Sequence, residues 1–105
     1  MSAQATRNNL SIDAVLSARE DVRYTPAGVP VVEASVRHRS VQVEAGRERD
    51  VDCELRVKVL GALAKSVAAV PVGSALRLEG FLAKRHHRGT GVVLHLTGFE
   101  LLRGN

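Results

Sequence analysis

The chain has 105 residues, the size of one ordinary domain, and 45% of them are apolar, enough for a buried core. Fifteen basic residues, twelve of them arginine, outweigh 11 acidic residues to a formal net charge of +4, which favours polyanionic partners over acidic small substrates. The single cysteine, Cys53, excludes an intrachain disulfide, and no apolar run approaches the roughly 20 residues that span a bilayer. We therefore expect a cytoplasmic protein without membrane contact.

The first half of the chain predicts two strands separated by a turn. After a polar N-terminal tail, residues 1–8, the segment 9–17 predicts a strand. The next segment is rich in turn residues, and its Pro26 and Gly28 are typical of a β-turn. In residues 31–40 apolar and polar side chains alternate, as they do in a half-buried strand.

The third predicted strand, residues 50–60, has the clearest alternation. Its apolar face carries Val51, Cys53, Leu55, Val57 and Val59, and its polar face carries Asp52, Glu54, Arg56 and Lys58. Because Cys53 alternates with valines, we expect it to be a small, inert core residue.

The second half predicts one short helix and two strands. The helix covers residues 62–69, and a strand follows over residues 75–84, where Gly80 marks a possible bulge. A basic, glycine-tipped loop, RHHRGTG, leads to the last strand, residues 92–102. The sequence contains no internal repeat and no sign of a second domain.

Five strands with a short helix between the third and the fourth follow the order of an OB-fold. We therefore predict an all-β protein: a five-stranded OB-fold barrel with long hairpin loops, forming one domain over residues 1–105. OB-folds bind oligonucleotides or oligosaccharides on the face of strands 2 and 3 and at the 1–2 and 4–5 loops. Other small barrels also have five strands, so the order alone is a weak argument.

Basic side chains are concentrated in the places that an OB-fold presents to a single strand. Cations there neutralise phosphates and release counterions. The predicted DNA-binding residues are Arg23, Arg37, Arg39, Arg47, Arg49, Lys58, Lys84, Arg85, His86 and Arg88. The alternative is that these charges only solvate exposed faces, which the acidic residues among them support for part of strand 3: Glu48, Asp50, Asp52 and Glu54.

The aromatic residues and the histidines predict neither strong base stacking nor catalysis. Phe81 and Phe99 lie in apolar surroundings and are predicted to be core residues, which leaves Tyr24 as the one candidate for an exposed stacking residue. The adjacent pair His86 and His87 lacks the spacing and the partners of a metal site. With no acid–base pair and no phosphate-binding Walker loop, we predict no enzyme and no cofactor.

Four strings resemble one family in the same order over about residues 9–102: RYTPAGVPV, VRHRSVQVEAG, VPVGSALRLEGFL and VLHLTGFEL. The chain resembles primosomal replication protein N, also called primosomal protein B, which is similar to the single-stranded DNA-binding proteins. The resemblance implies an OB-fold homodimer of bacterial replication restart. It also implies binding to single-stranded DNA, to the primosomal helicase and to the helicase-loader accessory protein.

The resemblance also implies roles for particular residues. Arg39, which follows the histidine of the HRS motif, and Arg23 in the 1–2 loop should touch DNA, as should the basic 4–5 loop. Better-known members of the family place aromatic residues after the EAG string and before the strand 3 cysteine, where this chain has Arg47 and Asp52. Two other functions stay open: a protein adaptor with weak or lost DNA binding, and an RNA-binding OB module.

Overall fold

The computed structural model describes residues 6–102, which form six strands and one helix. The elements are β1 (Leu10–Arg19), β2 (Arg23–Tyr24), β3 (Pro30–Glu44), β4 (Arg47–Leu60), α1 (Ala62–Ala68), β5 (Ala75–Lys84) and β6 (Val92–Leu101). No helix among these residues is long and apolar enough to cross a membrane. The five predicted strands and the short helix are all present, and the two-residue β2 is an addition.

Five of the strands close into a barrel in the order β1–β5–β6–β4–β3, and β3 pairs back to β1. Strand β1 achieves this closure by changing partners along its length. Its residues 10–15 pair with β5 and its residues 15–19 pair with β3, with a bulge between Leu16 and Ala18. All pairings are antiparallel except the short one between β4 and β6. The predicted OB-fold barrel is confirmed.

The core follows from the period-2 patterns of the strands. Alternate residues point inward, and the most deeply buried side chains of the barrel include Leu16, Val36, Val59, Leu78 and Leu94. Helix α1 packs against β3 and β4 and adds Ala64 and Val67 to the same cluster. A single cluster of aliphatic side chains therefore holds the barrel together and fixes which residues face outward.

Strands β3 and β4 extend beyond the barrel as a two-stranded arm, residues 38–53. The ladder between β1 and β3 ends at Val15 and Arg37, whereas β3 and β4 stay paired as far as Glu44 and Arg47. Only Ala45 and Gly46 connect the two strands, and both have positive φ, as in a type I′ hairpin turn. The predicted strand bounds, 31–40 and 50–60, leave residues 41–49 between them as a loop, and this is wrong because most of those residues belong to the two strands.

The position of Cys53 in the arm explains why its predicted burial is wrong. Cys53 does share a face with Val57 and Val59, as predicted, but it is exposed. The core-side face of β4 leaves the barrel at this point, so the arm offers no apolar layer to cover the thiol. The prediction of Cys53 as a core residue is wrong.

His38 marks the place where the arm leaves the barrel. Its Nδ1 lies 2.6 Å from the carbonyl oxygen of Asp13, and its Nε2 lies 2.7 Å from the hydroxyl of Ser40. A carbonyl oxygen can only accept, so Nδ1 donates to Asp13 and, in the neutral ring, Nε2 accepts from Ser40. The imidazole thus links β3 to β1 where their backbone pairing has ended.

Two predicted glycine positions are confirmed. The N–H of Gly28 donates to the carbonyl of Thr25 at 2.8 Å, which closes the turn around Pro26, and Gly28 has a φ of +84°. The register between β5 and β6 shifts between Glu79 and Gly80, which is the predicted bulge. There a Cβ on residue 80 would overlap the carbonyl oxygen of His95, so only glycine allows the two strands to approach so closely.

Candidate nucleic-acid interface

The loop between β5 and β6 carries the least neutralised positive charge in the described part of the chain. The N–H of Arg85 donates to the carbonyl of Gly91 at 3.0 Å, which closes the loop at its base. Its charged and titratable side chains are all exposed: Lys84, Arg85, His86, His87 and Arg88. Within residues 6–102 no carboxylate lies within 4.0 Å of its lysine or its arginines. We call residues 84–91 the basic loop.

The arginines of the arm, together with Arg37 at its base, are divided between its two faces. Cross-strand pairs share a face, so Arg37 and Arg39 lie on the outer face with Glu54 and Asp52. Arg47 pairs with Glu44, and this position belongs to the opposite face. Arg49 lies on that opposite face too. Four of the predicted DNA-binding residues, Arg37, Arg39, Arg47 and Arg49, therefore do not form one cationic surface.

On the outer face, Arg37 and Arg39 both form ion pairs with Asp52. Arg37 holds it through two hydrogen bonds of 3.2 and 3.1 Å, and the Nε of Arg39 lies 3.6 Å from the same carboxylate. The hydrogen bonds from Arg37 hold the pKa of Asp52 below its ordinary value, and Asp52 in turn raises the pKa of Arg37. An approaching phosphate must compete with this carboxylate for both guanidinium groups.

The rest of the arm's outer face is acidic and apolar. Val41 is paired with Asp50 and Val43 with Glu48, and all four side chains are exposed. On the opposite face, the Nη1 of Arg49 lies 2.7 Å from Glu44, an exposed pair of modest strength. These contacts leave Arg47 as the one arm arginine without a carboxylate within 4.0 Å in residues 6–102.

A third group of charges lies on the outer face of the barrel, around Glu33. Arg23 is 2.8 Å from one carboxylate oxygen of Glu33, and Arg56 is 3.3 Å from the other. Partial burial alone would raise the pKa of Glu33, but the neighbouring cations Arg23, Lys58 and Arg56 together hold it below its ordinary value. Arg56 also donates to the hydroxyl of Ser35 at 3.1 Å, so its side chain is fixed in place. Lys58 makes no ion pair within 4.0 Å among the described residues.

The aromatic predictions have mixed outcomes. Tyr24 is 59% exposed beside Arg23, and Phe99 packs against the core, as predicted. Phe81 is 40% exposed on the outer face, so its prediction as a core residue is wrong. The alternation of β5 contained the signal: Leu76 and Leu78 point inward, so Phe81 falls in the outward set with Arg77.

The structure therefore brings together some of the predicted residues and separates others. Lys84, Arg85, His86 and Arg88 are neighbours on the basic loop. Arg23, Arg37, Arg39 and Arg49 each lie beside a carboxylate, while Arg47 and Lys58 have none within 4.0 Å in residues 6–102. In the same residues no cluster of three metal-binding side chains occurs. The arrangement presents positive charge to a polyanion chiefly at the basic loop.

Comparison with known proteins places these features in a family. The model of a family described as "Another single-strand binding protein family" matches residues 8–98. The chain is 35% identical to the replication restart protein PriB of Bordetella pertussis over 98 residues, 93% of this chain and 92% of the relative. The corresponding protein of Nitrosomonas europaea is 31% identical over 96 residues, 91% of this chain and 89% of the relative.

Two solved structures of related proteins have a similar fold. The priB protein of Ralstonia solanacearum superposes with a TM-score of 0.86 at 33% identity, covering 93% of this chain and 100% of that one. The single-stranded DNA binding protein of Thermus aquaticus gives a TM-score of 0.76 at 26% identity, and the match covers 93% of this chain and 51% of that chain.

Proposed function

The chain belongs to the PriB family of replication restart proteins, and we propose that it is an accessory protein of bacterial replication restart that binds single-stranded DNA without catalysis. The observation that carries this proposal is the basic loop, which sets cations without carboxylate partners on an OB-fold barrel. Relatives whose names include single-strand binding and replication restart support the choice of ligand.

The proposed mechanism is electrostatic capture of the DNA backbone. Lys84, Arg85 and Arg88 neutralise phosphates and release their counterions, and His86 contributes a hydrogen-bond donor. Lys58 and Arg47, which have no carboxylate within 4.0 Å in residues 6–102, extend the contact. Arg23, Arg37, Arg39 and Arg49 join only when a phosphate displaces the carboxylate that each one holds.

Fluorescence anisotropy with a labelled oligo-dT tests the proposal. We expect binding at low salt that is weakened by added salt and that resists competition by duplex DNA. Unlabelled oligo-U in the same assay tests the RNA-binding alternative: single-stranded DNA should be the better competitor. Absence of oligo-dT binding even at low salt would contradict the proposal that the protein binds single-stranded DNA.

We further propose, from the family resemblance, that the protein acts as a homodimer and bridges DNA to the primosomal helicase and the helicase-loader accessory protein. Light scattering after size exclusion tests the dimer, for which twice the 11.3 kDa chain mass is expected. A pull-down with the cognate helicase, repeated with oligo-dT present, tests the bridge, because a bridging protein should hold both at once. A monomer, or no capture of the helicase, would contradict these proposals.

One observation favours the protein-adaptor alternative for the arm. Its outer face ties two arginines to Asp52 and exposes Val41 and Val43 among acidic residues. Exposed aliphatic side chains next to carboxylates suit a basic protein surface better than a phosphate backbone. If helicase capture persists in the full absence of oligo-dT binding, the adaptor function replaces the DNA-binding one.

A further inference from the structure

Two rings stack on the outer face of the barrel, away from the core. Phe81 in β5 pairs in register with His95 in β6, and their ring centroids are 5.1 Å apart at an interplanar angle of 8°. Phe81 remains 40% exposed although it is one of the three aromatic residues of the chain. Each ring covers part of the other, and the remaining surface of Phe81 faces solvent.

The backbone beneath this pair is closely packed. Gly80 precedes Phe81 at the bulge, and its Cα approaches the carbonyl of His95 so closely that no side chain fits between the strands. The strands therefore cannot slide or separate locally without losing this contact. The two rings therefore stand on paired strands whose register is set at the bulge, and sites built on strands are held more precisely than sites on loops.

The pair is part of a row that crosses four strands. His95 lies beside Lys58 in the parallel pairing of β6 and β4, and Lys58 lies beside Glu33 in β3. Lys58 has no carboxylate within 4.0 Å in residues 6–102. The basic loop begins at Lys84, three residues after Phe81, which is on the order of 10 Å along a strand. The partly exposed ring pair thus has Lys58 on one side and the basic loop beyond the end of β5.

We propose that Phe81 and His95 form a base-stacking subsite for one nucleobase of a single strand, with Lys58 and the basic loop holding the flanking phosphates. A ring that stacks on bases without reading their edges tolerates any sequence, and cations beside it fit the backbone. The charges around the pair favour a nucleic acid over an apolar peptide. This inference rests on the proposed function, and it adds a contact to the bases that the electrostatic mechanism lacks.

A tryptophan reporter tests the contact directly. The chain has no tryptophan, so the Phe81→Trp variant has a single indole fluorophore. We expect quenching of its emission by oligo-dT and little change with an abasic oligonucleotide of the same length. Val72→Trp is the matched control, because Val72 is exposed in the turn before β5, at the opposite end of that strand from the basic loop. Its emission should respond to neither ligand.

Binding measurements separate the subsite from the proposed function. The wild type should bind oligo-dT roughly tenfold more tightly than the abasic strand, in line with the contribution of one stacked base. Phe81→Leu should bind both strands equally with an unchanged salt dependence, and thermal unfolding should show that it is folded. No binding of oligo-dT by the wild type would overturn the proposed function. Normal binding by Phe81→Leu, with no quenching in Phe81→Trp, would overturn only the subsite.

Discussion

The carboxylate of Asp52 determines whether Arg37 and Arg39 are available to bind a phosphate. Replacing it with asparagine keeps the shape of the side chain but releases Arg37 and Arg39 from their shared carboxylate. We expect Asp52→Asn to bind oligo-dT several-fold more tightly, with a log–log salt slope steeper by about 0.7 for each arginine that gains a phosphate. Anisotropy titrations over a range of salt concentrations measure both quantities.

The control is Asp50→Asn, which removes the same charge from the same face. No basic side chain of the described chain lies within 4.0 Å of Asp50, so this change releases no arginine. A general loss of repulsion would strengthen binding equally in both variants. Equal effects would show that the ion pairs with Asp52 do not restrain the arginines.

Gly80 is the position at which a single methyl group should be most costly. A Cβ there overlaps the carbonyl of His95, so Gly80→Ala must push β5 and β6 apart. We expect the free energy of unfolding in urea to fall by about 1–3 kcal/mol, as for other overpacked sites. Gly98→Ala, in β6, is the control, because nothing lies within 4 Å of its added Cβ. Similar losses in both variants would contradict this explanation.

The lowered pKa values of three carboxyl groups predict how the free energy of unfolding responds to acidic pH. Hydrogen bonds from Arg77 hold the pKa of Asp13 below its ordinary value of 3.8, and Asp52 and Glu33 have lowered pKa values through their own arginines. A carboxylate with a lowered pKa in the folded state stabilises the fold above its unfolded pKa. That contribution is lost as the pH falls through the folded value.

Urea unfolding at a series of pH values checks this expectation. The free energy of unfolding should change little through these groups between pH 7 and about pH 5, and then fall below about pH 4. Asp13→Asn should lower the stability at pH 7 and make the decline at acidic pH shallower. A variant as stable as the wild type at neutral pH would show that the pair of Asp13 and Arg77 does not stabilise the fold.

The hairpin turn that connects the two strands of the arm contains a residue in an unfavourable backbone conformation. Ala45 has a φ of +54°, a region that alanine occupies at a cost and that asparagine tolerates better. We expect Ala45→Asn to stabilise the hairpin by about 0.5–1 kcal/mol. Hydrogen exchange of the arm amides is the suitable measurement. If the arm opens while the barrel stays folded, global unfolding does not report the added stability of the hairpin. Faster exchange in the variant would argue against a strained turn.

The sequence predicted the barrel well and the arm poorly, for one physical reason. Alternation marks a strand only where one face is buried and the other is wet. Residues 75–84 meet that condition, and their bounds were predicted correctly. Residues 41–49 expose both faces, so their sequence has no apolar period and predicts a loop although most of them form strands. Cys53 was placed on the correct face, but the pattern could not show that the core ends before it.

The candidate site was predictable only in part. The exposed cations of the basic loop follow from composition, because a glycine-tipped basic segment between two strands lies on the surface. The pairing of Asp52 with Arg37 and Arg39 needs the register of β3 and β4, which sequence alone does not fix. The apolar neighbours of Phe81 predict a core residue, whereas its position in the alternation of β5 indicates the outer face.

Across the whole molecule, the net charge of +4 is unevenly distributed. The arm pairs most of its arginines with carboxylates, whereas the basic loop has no carboxylate within ion-pair distance in residues 6–102. A phosphate backbone therefore meets less competition at the loop than at Arg39 and Arg49 of the arm, which each hold a carboxylate. The stacked rings of Phe81 and His95 lie on the barrel and not on the arm.

Capture of phosphates by the basic loop is tested most directly by the salt dependence of oligo-dT binding. The triple variant Lys84→Ala, Arg85→Ala, Arg88→Ala should bind more weakly and lose about 2 from the log–log slope, close to 0.7 for each lost contact. A charge-retaining triple, Lys84→Arg, Arg85→Lys, Arg88→Lys, should keep the wild-type slope. An alanine triple with the affinity and slope of the wild type would contradict phosphate capture by the basic loop.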